Sequence, residues 1–88
     1  MAIVFTEDGE RDFGALDNSI RVKFIKQFDK LLAMPPRRHL RGGNPYFCEN
    51  VTEQARLAYR LDGDDICIIR CFATHKEYER WYRGMGRG

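Results

Sequence analysis

The sequence has no apolar run near the ~20 residues that a membrane-spanning helix requires. Its opening, MAIVFTEDGE, turns acidic at Glu7, which does not suit a signal peptide. A soluble, cytoplasmic protein with no membrane partner is expected. Cysteine is scarce: Cys48, Cys67 and Cys71 make an odd count without a CxxC or Cys/His metal spacing. Cys67 and Cys71 fall inside an apolar run, where reduced thiols behave as small hydrophobes. A reducing compartment is expected. The two histidines, His39 and His75, stand among scattered carboxylates and make no specific metal pattern. There is no phosphate-binding glycine loop, no HExxH and no adjacent nucleophile and base of protease type. No cofactor and no metal are expected.

What is present suffices to fold. With 88 residues, 43% hydrophobic and 32% charged, the chain is expected to form one domain over residues 1–88 around one modest core. The formal net charge of +2 hides an uneven distribution. The first 17 residues hold Glu7, Asp8, Glu10, Asp12 and Asp17 against Arg11 alone, a net of −4; the other 14 bases and eight acids leave +6. A basic body can attract a polyanion such as RNA, although a merely solvated surface gives the same count.

Ala2 to Thr6 is β-prone, and Glu7 to Leu16 reads as a short polar helix carrying Phe13 and Leu16. In SIRVKFIKQFDKLLAM, residues Phe24, Ile25, Phe28, Leu31 and Leu32 form the stripe of an amphipathic helix, with Asn18 or Ser19 as N-cap and Pro35-Pro36 as stop. PPRRHLRGGNPY then reads as a basic loop with Arg37, Arg38, His39 and Arg41. Tyr46 to Asn50 is a plausible strand. Gln54 to Leu61 alternates, with Ala55, Leu57, Tyr59 and Leu61 on one face and Arg56, Ala58 and Arg60 on the other. Asp62-Gly63 signals a hairpin, and Ile66 to Ala73 returns as a strand apolar on both faces except at Arg70, hence central or covered on both sides. Thr74 to Tyr82 is helix-compatible, and Arg83 to Gly88 is expected to fray. Helices segregated from a run of strands predict an α+β, two-layer fold.

On a helix, His75, Tyr78, Glu79 and Tyr82 share one stripe. Histidine is the natural acid or base near neutral pH, and phenols stack on bases or donate to phosphates. Equally, Tyr78, Trp81 and Tyr82 suit anchoring of a terminal helix, with His75 capping or solvated. Arg56 and Arg60 flank the small Ala58 on one strand face, leaving room for an anionic ligand, while Arg60 beside Asp62, Asp64 and Asp65 also reads as a surface ion pair. Arg70, inside an apolar strand, requires a partner, and a structural bridge to a carboxylate is expected.

The stretch HLRGG…VTEQARLAYRLDGDDICIIRCFATHKEYERWY resembles the RelE/ParE superfamily of prokaryotic toxins. Its most specific piece, VTEQARLAYRL, is similar to the I-T-x-x-H-R-L-V-Y segment of the YoeB branch and to RelE's Y-R-L-V-Y, and Leu40-Arg41-Gly42 looks like the L-x-G that precedes the sheet in many members. The resemblance implies a RelE-like fold: an N-terminal strand and helical hairpin on a small, mainly antiparallel sheet, with a short C-terminal helix. It implies a ribosome-dependent endoribonuclease, an mRNA interferase that inhibits translation and is neutralised in a hetero-oligomer by a cognate antitoxin. The strand arginine that contacts the scissile phosphate falls on Arg56, and RelE's terminal basic residue and tyrosine fall on Lys76 and Tyr82. The Thr74-His75 pair looks like YafQ's G-T-H, whose histidine is catalytic, with His39 a possible match to another of its histidines. RelE's two strand lysines fall on Phe47 and Glu49, so its lysine chemistry is missing; Glu49 is a substitute base, as YoeB uses a glutamate.

The expected chemistry is attack of a ribose 2′-OH on the adjacent phosphate, with proton transfer by His75, charge stabilisation by Arg56 and Lys76, and nucleotide contacts from Tyr82 or Tyr78. Arg37, Arg38, Arg41 and Arg60 are expected to bind RNA. This chemistry requires no metal. Two alternatives stay open: a ParE-like toxin or inactive relative that binds a protein such as DNA gyrase, and a non-catalytic RNA-binding module.

Overall fold

The computed structural model describes residues 2–33 and 46–86. Along the chain these form β1 (Ile3–Phe5), α1 (Glu7–Ala15), α2 (Asn18–Ala33), β2 (Phe47–Asn50), β3 (Arg56–Asp62), β4 (Asp65–Phe72) and α3 (His75–Gly86). The strands make one sheet in the order β1-β4-β3-β2, with β1 parallel to β4 and the remaining pairs antiparallel. The fold is α+β, as the order of elements predicts. The strand that is apolar on both faces, β4, is indeed internal.

The α1–α2 hairpin is fixed by local chemistry. Thr6 caps α1, its Oγ1 accepting from the Gly9 N–H at 2.9 Å. Arg21 of α2 closes the other end of α1 by donating to the carbonyls of Phe13, Gly14 and Leu16. The expected N-cap of α2 shifts by one residue. The Asp17 carbonyl accepts from Ile20 and Arg21, while Asn18 is already helical and its Oδ1 accepts from Arg21 Nη1 at 3.0 Å. Of the predicted α2 stripe, Phe24, Phe28 and Leu31 are buried, but Ile25 and Leu32 are exposed. The stripe that faces the sheet is therefore narrower than the apolar one.

Phe24, Phe28 and Leu31 pack on Leu57, Tyr59, Ile66, Ile68 and Cys71 of the sheet, with Phe5 and Phe13 completing an aromatic cluster at centroid distances of 5.4 to 5.8 Å. A register irregularity makes this possible. Ala58 pairs with Arg70 and Tyr59 with Ile68, so Ile69 bulges out of the β3–β4 ladder. The bulge inverts the alternation of β4: Ile66 and Ile68 before it and Cys71 after it all face the helices, and Arg70 and Phe72 turn to the opposite face with Arg56. At the β3–β4 turn Gly63 has φ +62° and Asp64 has no positive φ, which fits a II′-type rather than a I′-type hairpin.

Beyond the end of β1, α1 takes over the exposed edge of β4. Thr6 N–H donates to the Ile68 carbonyl at 3.0 Å, and Asp12 Oδ2 accepts from the Cys71 N–H at 3.2 Å, where a longer β1 would have paired. The close approach depends on Gly9, since a Cβ there would collide with the Ile68 carbonyl oxygen. On the other face, Phe72 meets Tyr78 and Trp81 of α3 at 5.8 and 5.4 Å, and Trp81 meets Tyr46 at 4.8 Å. The helical backbone of α3 runs past Arg83 to Gly86, and residues 87–88 of the expected frayed end lie outside the described residues. Glu79 bridges to Arg83 across that turn at 3.3 Å and supports the helix there.

Candidate active site

The segment between β2 and β3 is built around one hydroxyl. Thr52 Oγ1 accepts from the N–H groups of Gln54 at 3.2 Å and Ala55 at 2.9 Å, folding VTEQA into a tight turn that delays the start of β3 to Arg56. This turn presents the carbonyls of Thr52, Glu53 and Ala55 to Arg56 Nη1, at 3.1, 3.0 and 3.0 Å. Among the described residues no carboxylate pairs with Arg56. The guanidinium is oriented by backbone dipoles, and its Nε and Nη2 have no hydrogen-bond partner among the described residues.

Across the ladder, Arg56 pairs with Asn50 and Phe72, and Cys48 pairs with Ala58 on the same face. Cys48 links Arg56 to α3. Although Cys48 is exposed, desolvation of its thiol against the sheet raises its pKa, opposed by the Tyr78 phenol and the Arg56 charge. Tyr78 lies between Cys48 and Tyr46, and burial followed by its Cys48 contact raises its own phenol pKa. Burial likewise raises Tyr46, whose hydroxyl makes no hydrogen bond of acceptable geometry among the described residues although Tyr78 is close by. Within α3, the Tyr78 ring meets the His75 ring at 6.3 Å and the Tyr82 ring at 6.0 Å, the latter stacked at 29°. Tyr82 is 48% exposed and is the aromatic left open for a stacking partner.

His75 is the first residue of α3, set there by a capping box. Thr74 Oγ1 accepts from the Glu77 N–H at 3.2 Å, while Glu77 Oε2 accepts from the Thr74 N–H at 3.2 Å and hydroxyl at 3.1 Å. Thr74 thus acts as the cap and His75 does not. The imidazole Nδ1 stands 3.2 Å from Glu79 Oε1, about half-exposed. Lys76 emerges a step around the helix, at an open depression of about 410 Å³ shared with Glu79, Arg80, Arg83 and Gly84. The structure therefore brings Arg56, Cys48, Tyr78, His75 and Tyr82 into one series and puts Lys76 on the adjoining basic face.

Other predicted residues separate from this series. Glu49 pairs with Leu57 and alternates to the helical face of the sheet, where its Oε1 accepts from Tyr59 Oη at 3.4 Å. It is not brought to Arg56. Arg60 is exposed and forms no ion pair with Asp62, Asp64 or Asp65, contrary to one expectation, and Ala58 between the two arginines is fully buried rather than bordering an open slot. Arg70 meets the expected carboxylate, with Nε 2.6 Å from Asp12 Oδ2. Arg37, Arg38, His39 and Arg41, with the Leu40-Arg41-Gly42 motif, lie outside the described residues. Among the described residues, no three His, Cys, Asp or Glu side chains converge as a metal site requires, and no helix is long and apolar enough to cross a membrane.

Sequence reasoning missed Cys48, Thr52 and the service of Thr74 and Glu79. The T-H-K-E spacing at Thr74 to Glu77 carries a legible capping signal, and His75 to Glu79 is an i,i+4 pair. Cys48 carries no local signal, because its position in the site arises from cross-strand register.

No protein-family model matches this sequence, and no curated protein sequence matches it. Solved structures do match. A double-mutant form of E. coli toxin RelE in the free state superposes with a TM-score of 0.71 at 18% identity, covering 97% of this chain and 94% of that one. The YoeB/ParE toxin from Agrobacterium tumefaciens gives 0.68 at 20% identity over 82% and 96%, and the RelBE2 toxin-antitoxin complex from Mycobacterium tuberculosis gives 0.65 at 23% over 81% and 94%. The chain has the RelE/YoeB/ParE toxin fold.

Proposed function

We propose that this protein is the toxin of a toxin–antitoxin pair and that it acts as a metal-independent, ribosome-dependent endoribonuclease on mRNA, blocking translation until a cognate antitoxin binds it. The observation that carries this reading is Arg56: a guanidinium held by three backbone carbonyls, free of any carboxylate among the described residues, on the sheet face that also carries Tyr78, with His75 and Tyr82 beyond it. Such a cation is suited to a phosphate. In the proposed reaction the ribose 2′-oxygen forms a bond to the adjacent phosphorus as the bond to the 5′-oxygen breaks. His75 takes the 2′-OH proton and returns a proton to the departing 5′-oxygen, leaving a 2′,3′-cyclic phosphate and a 5′-hydroxyl. Arg56 stabilises charge on the phosphoryl oxygens, assisted by the nearby positive field of Lys76, and Tyr82 stacks on a base. Tyr78 serves as support beneath Tyr82, and Arg60, Arg37, Arg38 and Arg41 contribute to phosphate attraction.

The test is induction in cells with and without a candidate antitoxin, paired with purified protein, ribosomes and mRNA in chelator. Growth arrest and cleavage are expected for the wild type and their loss for Arg56→Ala and His75→Ala. Absence of cleavage, or full activity of His75→Ala, overturns the reading; growth arrest with intact mRNA and inhibited gyrase favours a ParE-like target instead.

A further inference from the structure

We infer that the outward side of α3 is a phosphate track, on which Lys76, Arg80 and Arg83 hold the backbone of single-stranded RNA where it continues past the scissile bond. This inference rests on the endoribonuclease reading above and extends its site from the reacting nucleotides to the flanking strand. The helix packs on the sheet through Tyr78 and Trp81, which meet Phe72 at 5.8 and 5.4 Å. At about 3.6 residues per turn, the side chains then follow one another round α3: His75 and Tyr82 first, Lys76 and Arg83 next, Arg80 after them. A strand that leaves Arg56, stacks on Tyr82 and passes over the helix meets the three bases in that order. They line an open depression of about 410 Å³ with Glu79 and Gly84, and the glycine leaves space where a side chain would stand.

Charge decides where an anion settles. This depression sets three bases against one carboxylate, and that carboxylate already accepts from Arg83, Nη2 to Glu79 Oε2 at 3.3 Å. Lys76 and Arg80 have no hydrogen-bond or ion-pair partner among the described residues. A neighbouring depression of about 320 Å³ shares Arg80, but there Arg70 and Arg80 stand against Asp12 and Glu77, and Arg70 is engaged by Asp12 at 2.6 Å. Its charges cancel, so the track ends at Arg80. The cations are exposed, so a single phosphate contact is worth up to about fivefold in affinity. Their collective signature is salt dependence: each phosphate neutralised on a single strand adds about 0.7 to the slope of log affinity against log salt. Arg83, held by Glu79, contributes less than a full contact.

The test is fluorescence anisotropy of the full-length protein with a 2′-O-methyl RNA of about six nucleotides, across a salt series; this RNA carries the phosphates and no 2′-hydroxyl to attack. Arg80→Gln and Lys76→Gln are each expected to weaken binding by up to about fivefold at low salt and to flatten the slope by about 0.7. Glu79→Gln is expected to tighten binding and steepen the slope, because it releases Arg83. Lys23→Gln removes an exposed base of α2, on the other layer, and is expected to leave the slope unchanged. No binding by the wild type at low salt, a slope unmoved by Arg80→Gln, one flattened equally by Lys23→Gln, or binding weakened by Glu79→Gln overturns the inference, whatever the cleavage activity. The expected slopes without cleavage of ribosome-bound mRNA overturn the functional reading and leave the track standing as an RNA-binding surface. Where cleavage occurs, the loss in Arg80→Gln is expected to fall on KM rather than kcat, and the reverse split overturns its assignment as a binding residue.

Discussion

Arg70 Nε lies 2.6 Å from Asp12 Oδ2, and the same carboxylate oxygen accepts from the Cys71 N–H at 3.2 Å, so one aspartate of α1 neutralises a strand cation and closes the open edge of β4. Arg56, on the same face of the sheet, has no such partner among the described residues. Two arginines of similar sequence context are thereby divided. Arg70 holds the fold, and Arg56 is the cation proposed to meet phosphate.

Stability measurements will show that division. Asp12→Ala leaves a half-buried guanidinium unpaired and a strand N–H without its acceptor, and is expected to cost about 2–4 kcal/mol by urea unfolding. Arg56→Ala is expected to stay within about 1 kcal/mol of wild type. An Asp12→Ala variant as stable as wild type would remove the edge-closing function assigned here.

Activity is expected to reverse that order. Arg56→Ala is expected to lower cleavage by about 100-fold or more, the scale of losing one preorganised charge-stabilising group. Arg56→Lys should not recover it, because an ammonium cannot keep one nitrogen on the turn carbonyls while offering others to a phosphate. Single-turnover cleavage of a ribosome-bound message measures both.

Gly9→Ala tests the approach of α1 to β4. The added methyl meets the Ile68 carbonyl, a backbone atom that cannot swing aside, so a loss of about 1–3 kcal/mol is expected even though alanine favours helices. Gly14→Ala, in the same helix with open space around it, is expected to be neutral or stabilising by up to about 1 kcal/mol. Paired thermal melts distinguish them.

The Thr74–Glu77 box sets where α3 begins. Thr74→Ala is expected to cost about 1 kcal/mol and to lower cleavage, because it loosens the first turn that carries His75. Hydrogen exchange at the Glu77 amide should accelerate in step; protection equal to wild type would argue against the cap.

Alkaline pH is expected to destabilise the protein. Burial first, and the Asp12 charge second, push the Cys71 thiol up to about 12 from an ordinary 9.0, and burial also raises Tyr59 and Tyr78. For a group whose folded pKa is raised, the folded state holds its proton more tightly, so this contribution is fully present below the unfolded pKa near 9 and is lost as pH rises toward 12. Urea midpoints should fall across that window. Cys71→Ala, less stable at neutral pH, should show a shallower fall.

The order of elements, the α+β class and the central place of β4 were legible in the sequence, because each follows from local periodicity and from turn residues such as Gly63. The need of Arg70 for a carboxylate was legible too, since a cation in an apolar strand must be compensated wherever its partner lies in the chain. Which carboxylate it finds was not: Asp12 is 58 residues away and reaches Arg70 only because β1 ends early and α1 replaces it along the edge. Nor does periodicity reveal the bulge at Ile69, which puts Ile68 and Cys71 on one face and returns Arg70 and Phe72 to the face of Arg56. That same register separates Glu49 from Arg56 and brings the unremarked Cys48 between Arg56 and Tyr78. Local sequence determines which residues are able to form a strand, a cap or a cation; pairing register and edge closure are long-range choices, made by the whole core at once, and they decide which of those residues meet.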